Sequence, residues 1–393
     1  MRKQRGISIC LEGWYYLAVL AFVIGGAILR EINLLIVLAG LMTGPILLSF
    51  RLARATLRKV DVTRRMPEVI GAGDLLVVDV TVRNRRRRLD SWAVVVEEAI
   101  ERIGGSRSDE KTSARVLLPH VPAGSSCTAT YRGRLMRRGR YRFGPISAST
   151  RFPLGLIKAT ARYGTSNELI VCPRLGRLSS KWAQWFQTEA VGAQASRRRH
   201  GLVEGDFYGL RDWRGGDSRS WIHWRTTARR GKLSVRQFER QANHDLVILL
   251  DLWEPERPTS RQTENVELAV SFTATVLVDQ CCRGISQVTL ATAAAENSVI
   301  DGAASKILMQ ETMEQLAVAE STDTSNMPEL LSRVLGRKRA GVRVVVVSTR
   351  EVDLHDSDQF ERIWEDPQKR SSLRDVICIN VGGEQIEDLF TVE

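Results

Sequence analysis

No two cysteines in this sequence are spaced as CxxC, no strand-like run opens onto GxGxxG, no glycine loop carries a Walker lysine, and no serine lies in a nucleophile elbow. Each absence removes a class of function. Cys10, Cys127, Cys172, Cys281, Cys282 and Cys378 are scattered, and the adjacent pair points to different faces of a predicted helix. Neither a disulfide framework nor a zinc site is expected, and a reducing compartment is. Without the glycine fingerprints, nucleotide binding is disfavoured, and an elbow-type hydrolase lacks its nucleophile. No aromatic residue interleaves the Arg85–Arg88 run. Single-stranded nucleic acid would find no stacking platform there, and the run reads as a solvated hairpin tip.

What is present begins with charge. The 393 residues carry a net +12, but residues 1–65 hold ten basic and three acidic residues, so +7 of the excess lies in that short span. The span flanks two apolar segments, Trp14–Leu29 and Leu34–Phe50, separated only by Arg30, Glu31, Ile32 and Asn33. Each is near the lower length limit for a bilayer-crossing helix. Together they predict a tight transmembrane hairpin, with Trp14, Tyr15 and Tyr16 at one interface. A cleaved signal peptide fits poorly, because the second segment follows at once. Arg2, Lys3 and Arg5 precede the pair, and Arg51, Arg54, Arg58, Lys59, Arg64 and Arg65 follow it. The positive-inside rule therefore puts both ends, and everything after Phe50, in the cytoplasm, with the hairpin in the inner membrane. The basic excess is thus assigned to topology, and no nucleic-acid partner is expected.

Beyond the hairpin two patterns succeed each other. Short alternating runs such as Leu75–Arg83, Ser91–Glu97, Thr128–Leu135 and Glu168–Cys172 are separated by turn signals at Gly71–Asp74, Pro122–Gly124 and Phe152–Gly155. They predict an antiparallel β-sandwich, with a hairpin like those of immunoglobulin-like accessory domains. From Asn243 onward, near-continuous apolar runs at Asp245–Asp251, Gln287–Ala293, Val342–Ser348 and Val376–Val381 alternate with helical stretches. That alternation predicts a Rossmann-like α/β domain with a parallel sheet covered on both faces. The expected organisation is a two-helix transmembrane anchor over residues 1–55, a sandwich over 56–175, a junction segment over 176–243 and the α/β domain over 244–393.

The junction holds the most distinctive stretch, Gly201–Glu239, GLVEGDFYGLRDWRGGDSRSWIHWRTTARRGKLSVRQFE. Arg211–Asp217 reads as a turn with paired charges, and Asp217 as the N-cap of a helix over Ser218–Arg230. Gly231 would end that helix. On it Trp221, Trp224 and Ala228 would form a buried face, with His223 and Arg219 as neighbours on another. Asp217, Arg219, Arg225 and Arg229 would make charge-assisted hydrogen bonds to adjoining segments. Lys232–Glu239 reads as a strand entering the α/β domain.

At these residues the chain resembles the bacterial family called domain of unknown function 58. The family signature looks like G-x-x-F-x-G-L-R-x-Y-x-x-G-D-x-x-R-x-I-x-W-x-x-x-A-R-x-G-x-L-x-V-R-x-F-E. Gly205, Phe207, Gly209, Leu210, Arg211, Gly216, Asp217, Arg219, Ile222, Trp224, Ala228, Arg229, Gly231, Leu233, Val235, Arg236, Phe238 and Glu239 fill it, while Trp213 stands where Tyr is usual. The resemblance implies a tail similar to a von Willebrand factor A domain, whose first strand ends in a Mg²⁺-holding D-x-S-x-S. Here that place reads Asp251-Leu252-Trp253-Glu254-Pro255. Trp253 and Pro255 offer no ligand, so Asp251 is expected to be a vestige that caps a loop, with no metal or other cofactor.

The resemblance also implies partners: a MoxR-type AAA+ ATPase, and other membrane-associated von Willebrand A-like or transglutaminase-like proteins. The expected role is that of a membrane adaptor rather than an enzyme. Arg211, Asp217, Arg219, His223, Trp224, Arg229, Arg236 and Glu239 would form either a structural clasp or a partner-binding face. The alternatives are a hydrolase-like enzyme using His223 and Asp217, and a structural scaffold without an ATPase. The topology has its own check: a reporter active only outside the cytoplasm, fused to the C-terminus, is expected to stay silent.

Overall fold

Ahead of the first apolar helix, Gln4–Ile9 already forms a strand (β1), and it pairs antiparallel with Ile157–Tyr163 far along the chain. The computed structural model describes all residues except 1–3, 31, 105–110, 165, 183, 185–205, 216, 218, 240–244, 285–286, 338–341, 374–375, 384 and 393. It divides into two compact units, residues 1–174 with 313–318, and residues 175–312 with 319–393. The hairpin belongs to the same unit as the β-rich region.

The hairpin helices are Leu11–Arg30 (α1) and Asn33–Thr56 (α2), both long and apolar enough to cross a membrane. Only 17% and 11% of their most apolar windows are buried, and Phe22 is 83% exposed, so protein does not cover them. A helical hairpin packed inside a soluble core would show the reverse. At about 1.5 Å per residue, α2 is also longer than a hydrocarbon core about 30 Å thick. Its last turns continue into protein, where Ala53 and Leu57 join the β-rich core.

That core lies between two sheets. Val60–Arg65 (β2), Leu75–Asn84 (β4) and Ser126–Arg134 (β7) make the smaller one, in the order β2-β4-β7. The larger has eight strands: β1, Val69–Gly71 (β3), Ser91–Ile103 (β5), Lys111–Val121 (β6), Gly139–Phe143 (β8), Ile146–Thr150 (β9), Ile157–Tyr163 (β10) and Asn167–Cys172 (β11). Every pair is antiparallel except β3 with β11. The period-2 pattern of β4 buries Leu76, Val78, Val80 and Val82 against Val94, Val96, Phe143 and Leu169 of the larger sheet.

A charged cluster joins the sheets through this apolar layer. Arg64 of β2 pairs with Glu98 of β5, and both side chains are almost fully buried. Tyr131 of β7 donates to Glu98 Oε1 (2.5 Å), Arg64 Nη2 donates to Asn167 (2.7 Å), and the guanidinium lies over the Phe143 ring. Burial first, and the Glu98 carboxylate second, push the Tyr131 hydroxyl well above its usual pKa. Arg64, counted from sequence among the topogenic cations, is therefore an interior residue.

The Arg85–Arg88 run is corrected in the same way. Arg85, Arg87 and Arg88 are exposed, but Arg86 is buried beneath them. Its Nη1 donates to the Ala55 carbonyl (2.5 Å), Nη2 to the Asp90 carbonyl (2.8 Å) and to Ser91 Oγ (2.5 Å), and Nε to Asn84 Oδ1 (3.0 Å). Ser91 Oγ in turn donates to the Thr56 carbonyl (2.9 Å). The last carbonyls of a helix have no intrahelical donors, and a cation at that end also meets the negative pole of the helix dipole. The β-unit thus caps the membrane helix.

The second unit begins with Gly176–Leu178 (β12) and is built on five strands. They are Leu246–Asp251 (β15), Gln287–Ala293 (β16), Ser298–Ala303 (β17), Arg343–Ser348 (β18) and Val376–Asn380 (β19), in the order β17-β16-β15-β18-β19. All pairs are parallel except the edge pair β16–β17, so the expected parallel sheet is mixed at one edge. Every residue of β15 is buried, which explains its unbroken apolar run. Helix Ser260–Arg283 opens with a Thr259/Gln262 capping box and ends at left-handed Gly284. Met327–Arg337 packs its apolar face on Val247, Leu249, Val344 and Val346. The remaining strands are Asp206–Asp212 (β13) and Ser234–Glu239 (β14), which pair as a separate antiparallel ribbon, and C-terminal Phe390–Val392 (β20), which pairs with β12.

Two neighbouring carboxylates test the sheet-joining cluster. Glu98→Gln leaves Arg64 buried without its counter-charge and should cost about 3–5 kcal/mol. Glu97→Gln removes only an exposed partner of Arg115 and should cost no more than about 1 kcal/mol. Thermal unfolding of the purified full chain reads both.

Candidate functional site

Among the described residues, the signature stretch folds into a hairpin with one short helix laid back on it. β13 and β14 run antiparallel from Asp206↔Glu239 to Asp212↔Ser234, with a bulge between Phe207 and Gly209. Beyond the ribbon, Trp213 N–H donates to the Leu233 carbonyl (2.9 Å), and Ile222 bridges to Val235. Among the described side chains of this element, Ile222, Ser234 and Val235 are buried. β14 therefore pairs with the signature's own first strand rather than entering the five-stranded sheet.

The helix (α3) spans Trp224–Arg230, shorter than the sequence suggested, and a single 3₁₀ turn at Arg219–Trp221 precedes it. Its N-cap is His223, not Asp217. His223 Nδ1 accepts the Thr226 backbone N–H (3.3 Å) and contacts Thr226 Oγ1 (2.8 Å). Gly231 closes the helix in the left-handed conformation, φ 67°, as expected. Because residues 219–223 are not α-helical, Trp221, Trp224 and Ala228 do not share a helical face. Trp224 is 66% exposed and Ala228 is exposed, which overturns the buried face expected there. Gly201–Gly205, Gly216 and Ser218 lie outside the described residues, as do the side chains of Phe207, Phe238 and Glu239.

Asp217 instead braces the turn. Its two oxygens take Arg211 Nη1 and Nη2 at 2.7 Å each, and Oδ2 also accepts the Arg214 N–H (2.8 Å). Such a two-pronged pair fixes geometry as well as charge. Arg211, followed by the Arg214 N–H, holds the Asp217 carboxyl below the usual range, and Arg211 is raised in return. With Asp217 bound to Arg211, the hydrogen bonds expected of Arg219, Arg225 and Arg229 are not seen among the described residues. These arginines lie exposed, as do Arg214, Lys232 and Arg236. Asp217 and His223 share no hydrogen bond, since each is committed to a different partner. The element presents Trp213, Trp224 and Leu233 to solvent, together with these exposed cations and Asp212.

Asp251 ends the central strand β15 at the carboxyl edge of the parallel sheet. The strand order reverses between β15 and β18, and ligands of open α/β sheets bind at such switch points. Asp251 is buried and does not cap a loop: its Oδ2 accepts Ser348 Oγ (2.9 Å) from β18 and faces Arg350 Nε (3.4 Å). Burial pushes the Asp251 carboxyl up, and Arg350 and Ser348 pull it back. Arg350 also donates to Ser325 (2.6 Å) and lies over the Trp253 ring. A small cavity of about 240 Å³ opens beside it, lined by residues including Trp253, Asn265, Thr349 and Asn380. Among the described residues, no group of three or more His, Cys, Asp and Glu side chains is placed to hold a metal ion. Asp251 Oδ2 already takes the Ser348 hydroxyl and the Arg350 guanidinium, so this donor set does not fit Mg²⁺. Sequence reasoning missed Ser348 and Arg350, because only the strand order brings the end of β18 beside the end of β15.

Residues 209–389 match the family model described as "Protein of unknown function DUF58". A curated relative, "Uncharacterized protein YeaD" of Bacillus subtilis (strain 168), is 28% identical over 229 residues, covering 58% of this chain and 54% of the relative. The chain thus spans about half the length of that relative. Among solved structures, a β-glucosidase from Listeria innocua in complex with glucose aligns at TM-score 0.20 and 17% identity, over 28% of this chain and 16% of that one. The CARDB domain of the PF1109 protein from Pyrococcus furiosus aligns at 0.18 and 16%, over 28% and 91%. Superoxide reductase (neelaredoxin) from Ignicoccus hospitalis aligns at 0.19 and 15%, over 28% and 79%. Likenesses this slight fix no fold.

The Asp251–Arg350 pair carries a prediction with a defined sign. Arg350→Ala leaves a buried carboxylate uncompensated, a loss of about 3–5 kcal/mol when the carboxylate is ionised. Asp251 already has a raised pKa in the folded state, and the variant raises it further. Below the folded pKa the folded chain holds a proton that removes the unpaired charge, so the destabilisation should be greatest near neutral pH and shrink as pH falls toward the ordinary carboxylate range. Denaturant unfolding of variant and parent across that range measures it.

Proposed function

Starting from a chain that belongs to the DUF58 family through residues 209–389, we propose that it is a membrane-anchored adaptor whose signature element docks a partner protein. The observation that carries this reading is the exposure of Trp224 and Trp213 among arginines, on a turn that Asp217 and Arg211 brace. A clasp would bury its tryptophans. Exposed aromatic and arginine side chains on a braced turn are instead the residue types that dominate protein–protein contacts. The exposed cations favour an acidic partner surface.

The family resemblance supplies a candidate, a MoxR-type AAA+ ATPase, working with other membrane-associated von Willebrand A-like or transglutaminase-like proteins. In this reading the two-sheet unit is an immunoglobulin-like accessory module. The five-stranded unit is a von Willebrand A-like domain in which Arg350 takes the place of the metal ion. The positive-inside distribution of Arg51, Arg54, Arg58 and Lys59 supports an inner-membrane hairpin with both units in the cytoplasm, where an ATPase partner is accessible. We assign no catalytic role. His223 acts as a helix cap and Asp217 as the brace of Arg211, which leaves the hydrolase alternative without a base–nucleophile pair.

Capture experiments test this. Full-length chain in detergent should enrich an AAA+ ATPase in a nucleotide-dependent way. Trp224→Ser and Arg225→Glu should abolish enrichment while leaving the melting temperature within about 1 °C, as for surface substitutions. A fall in melting temperature of several degrees in Trp224→Ser would restore the clasp. Hydrolysis of generic ester, peptide or phosphate substrates that disappears in His223→Ala would restore the enzyme.

A further inference from the structure

Two turns of the β-unit reach the membrane helices at their shared end. The Arg86–Ser91 turn binds the last carbonyls of α2, as described above. The Phe152–Leu156 turn reaches the start of α1: Cys10 N–H donates to the Leu156 carbonyl (2.9 Å), and a Cβ on Gly13 would collide with that oxygen. In an antiparallel hairpin the start of α1 and the end of α2 lie at the same membrane face, so both turns belong to the membrane-proximal end of the β-unit. They are also tied to each other, since Thr150 Oγ1 donates to the Trp92 carbonyl (2.9 Å).

The side chains at this end have the wrong polarity for water. Leu154 is 55% exposed, Leu89 54% and Trp92 42%. The Trp92 ring stacks on both His120 (centroids 4.1 Å apart) and Phe152 (6.0 Å). Arg87, Arg88 and Arg151, next in sequence to Leu89 and Phe152, are exposed. Asp90, the acidic group of the turn, is engaged by His120 (2.9 Å) and the Ala123 N–H (2.8 Å).

We propose that Leu89, Trp92, Phe152 and Leu154 form a second membrane contact, in which the β-unit lies on the bilayer interface beside its own hairpin and Arg87, Arg88 and Arg151 meet anionic phospholipid headgroups. The proposal rests on the reading of the hairpin as membrane-spanning. A lipid surface is the occupant because the patch is continuous with the helix ends, which fix its height at the interface. Tryptophan and leucine with neighbouring arginines suit that layer, where an apolar body meets phosphate. The contact would hold the β-unit against the membrane instead of letting it swing on the hairpin.

Depth-dependent fluorescence quenching tests it on the full chain in vesicles. With exposed Cys282 changed to Ser, single cysteines are introduced by Leu154→Cys, Phe22→Cys and Met136→Cys and labelled with a polarity-sensitive fluorophore. The unsubstituted Cys282→Ser chain gives the background. Met136 is exposed next to the start of β4. Ten residues of that strand put it roughly 30 Å from the patch, so it reports the solvent end. In phosphatidylcholine vesicles containing a shallow nitroxide lipid, quenching at position 154 should exceed that at 136 severalfold and approach that at 22. Adding phosphatidylglycerol should increase it, and Arg87→Glu with Arg88→Glu should remove that increase. Quenching at 154 equal to that at 136, with 22 quenched, would overturn the proposal and leave the hairpin reading standing. An unquenched label at 22 would overturn both.

Discussion

A helix that leaves a bilayer ends in carbonyl oxygens with no intrahelical donor, and here a buried guanidinium from the β-unit supplies one. Arg86 donates to the Ala55 carbonyl while Asn84, Asp90 and Ser91 hold it in place, and Ser91 reaches the Thr56 carbonyl. Ala53 and Leu57 of the same helix complete the apolar core below. At the same end of the hairpin, β1 pairs along β10 immediately before α1 begins. The hairpin is therefore an inserted excursion of the β-unit rather than a tether. Both of its ends are fixed by hydrogen bonds, and this determines which turns of the unit lie beside the helix ends.

Arginine does three different jobs in this chain, and net charge distinguishes none of them. Arg64 and Arg86 are interior residues that satisfy a buried carboxylate and buried carbonyls. Arg350 compensates a carboxylate stranded at a sheet edge. On the signature element, Arg211 is taken by Asp217, while Arg214, Arg219, Arg225 and Arg229 lie exposed. The physical difference is the partner's environment. A buried acid or carbonyl makes the cation structural, whereas an exposed cation without a carboxylate in reach remains available for recognition.

Much of the architecture was legible because it depends on periodicity. Strands β4, β5, β15, β16, β18 and β19 lie where alternating or unbroken apolar runs placed them, and left-handed Gly231 ends its helix. The site was less legible. Asp217 has the residue type and position of an N-cap, but a two-pronged arginine six residues earlier competes for the same oxygens. The cap passes to His223, and the helix starts six residues later than expected. That shift moves Trp224 from a supposed core face into solvent.

The sequence by itself determined two apolar spans with a cationic flank, the change from alternating to continuous strands, and a signature dense enough to mark the family. These are local properties, set by hydropathy and spacing within a few turns of chain. Only the tertiary structure decided that Arg86 and Arg64 are interior, that Ser348 and Arg350 meet Asp251, and that the Arg86–Ser91 and Phe152–Leu156 turns share one end of the β-unit. Each of those joins residues tens to about a hundred positions apart. Strand order and the return of the chain around the hairpin bring them together, and no local pattern encodes either.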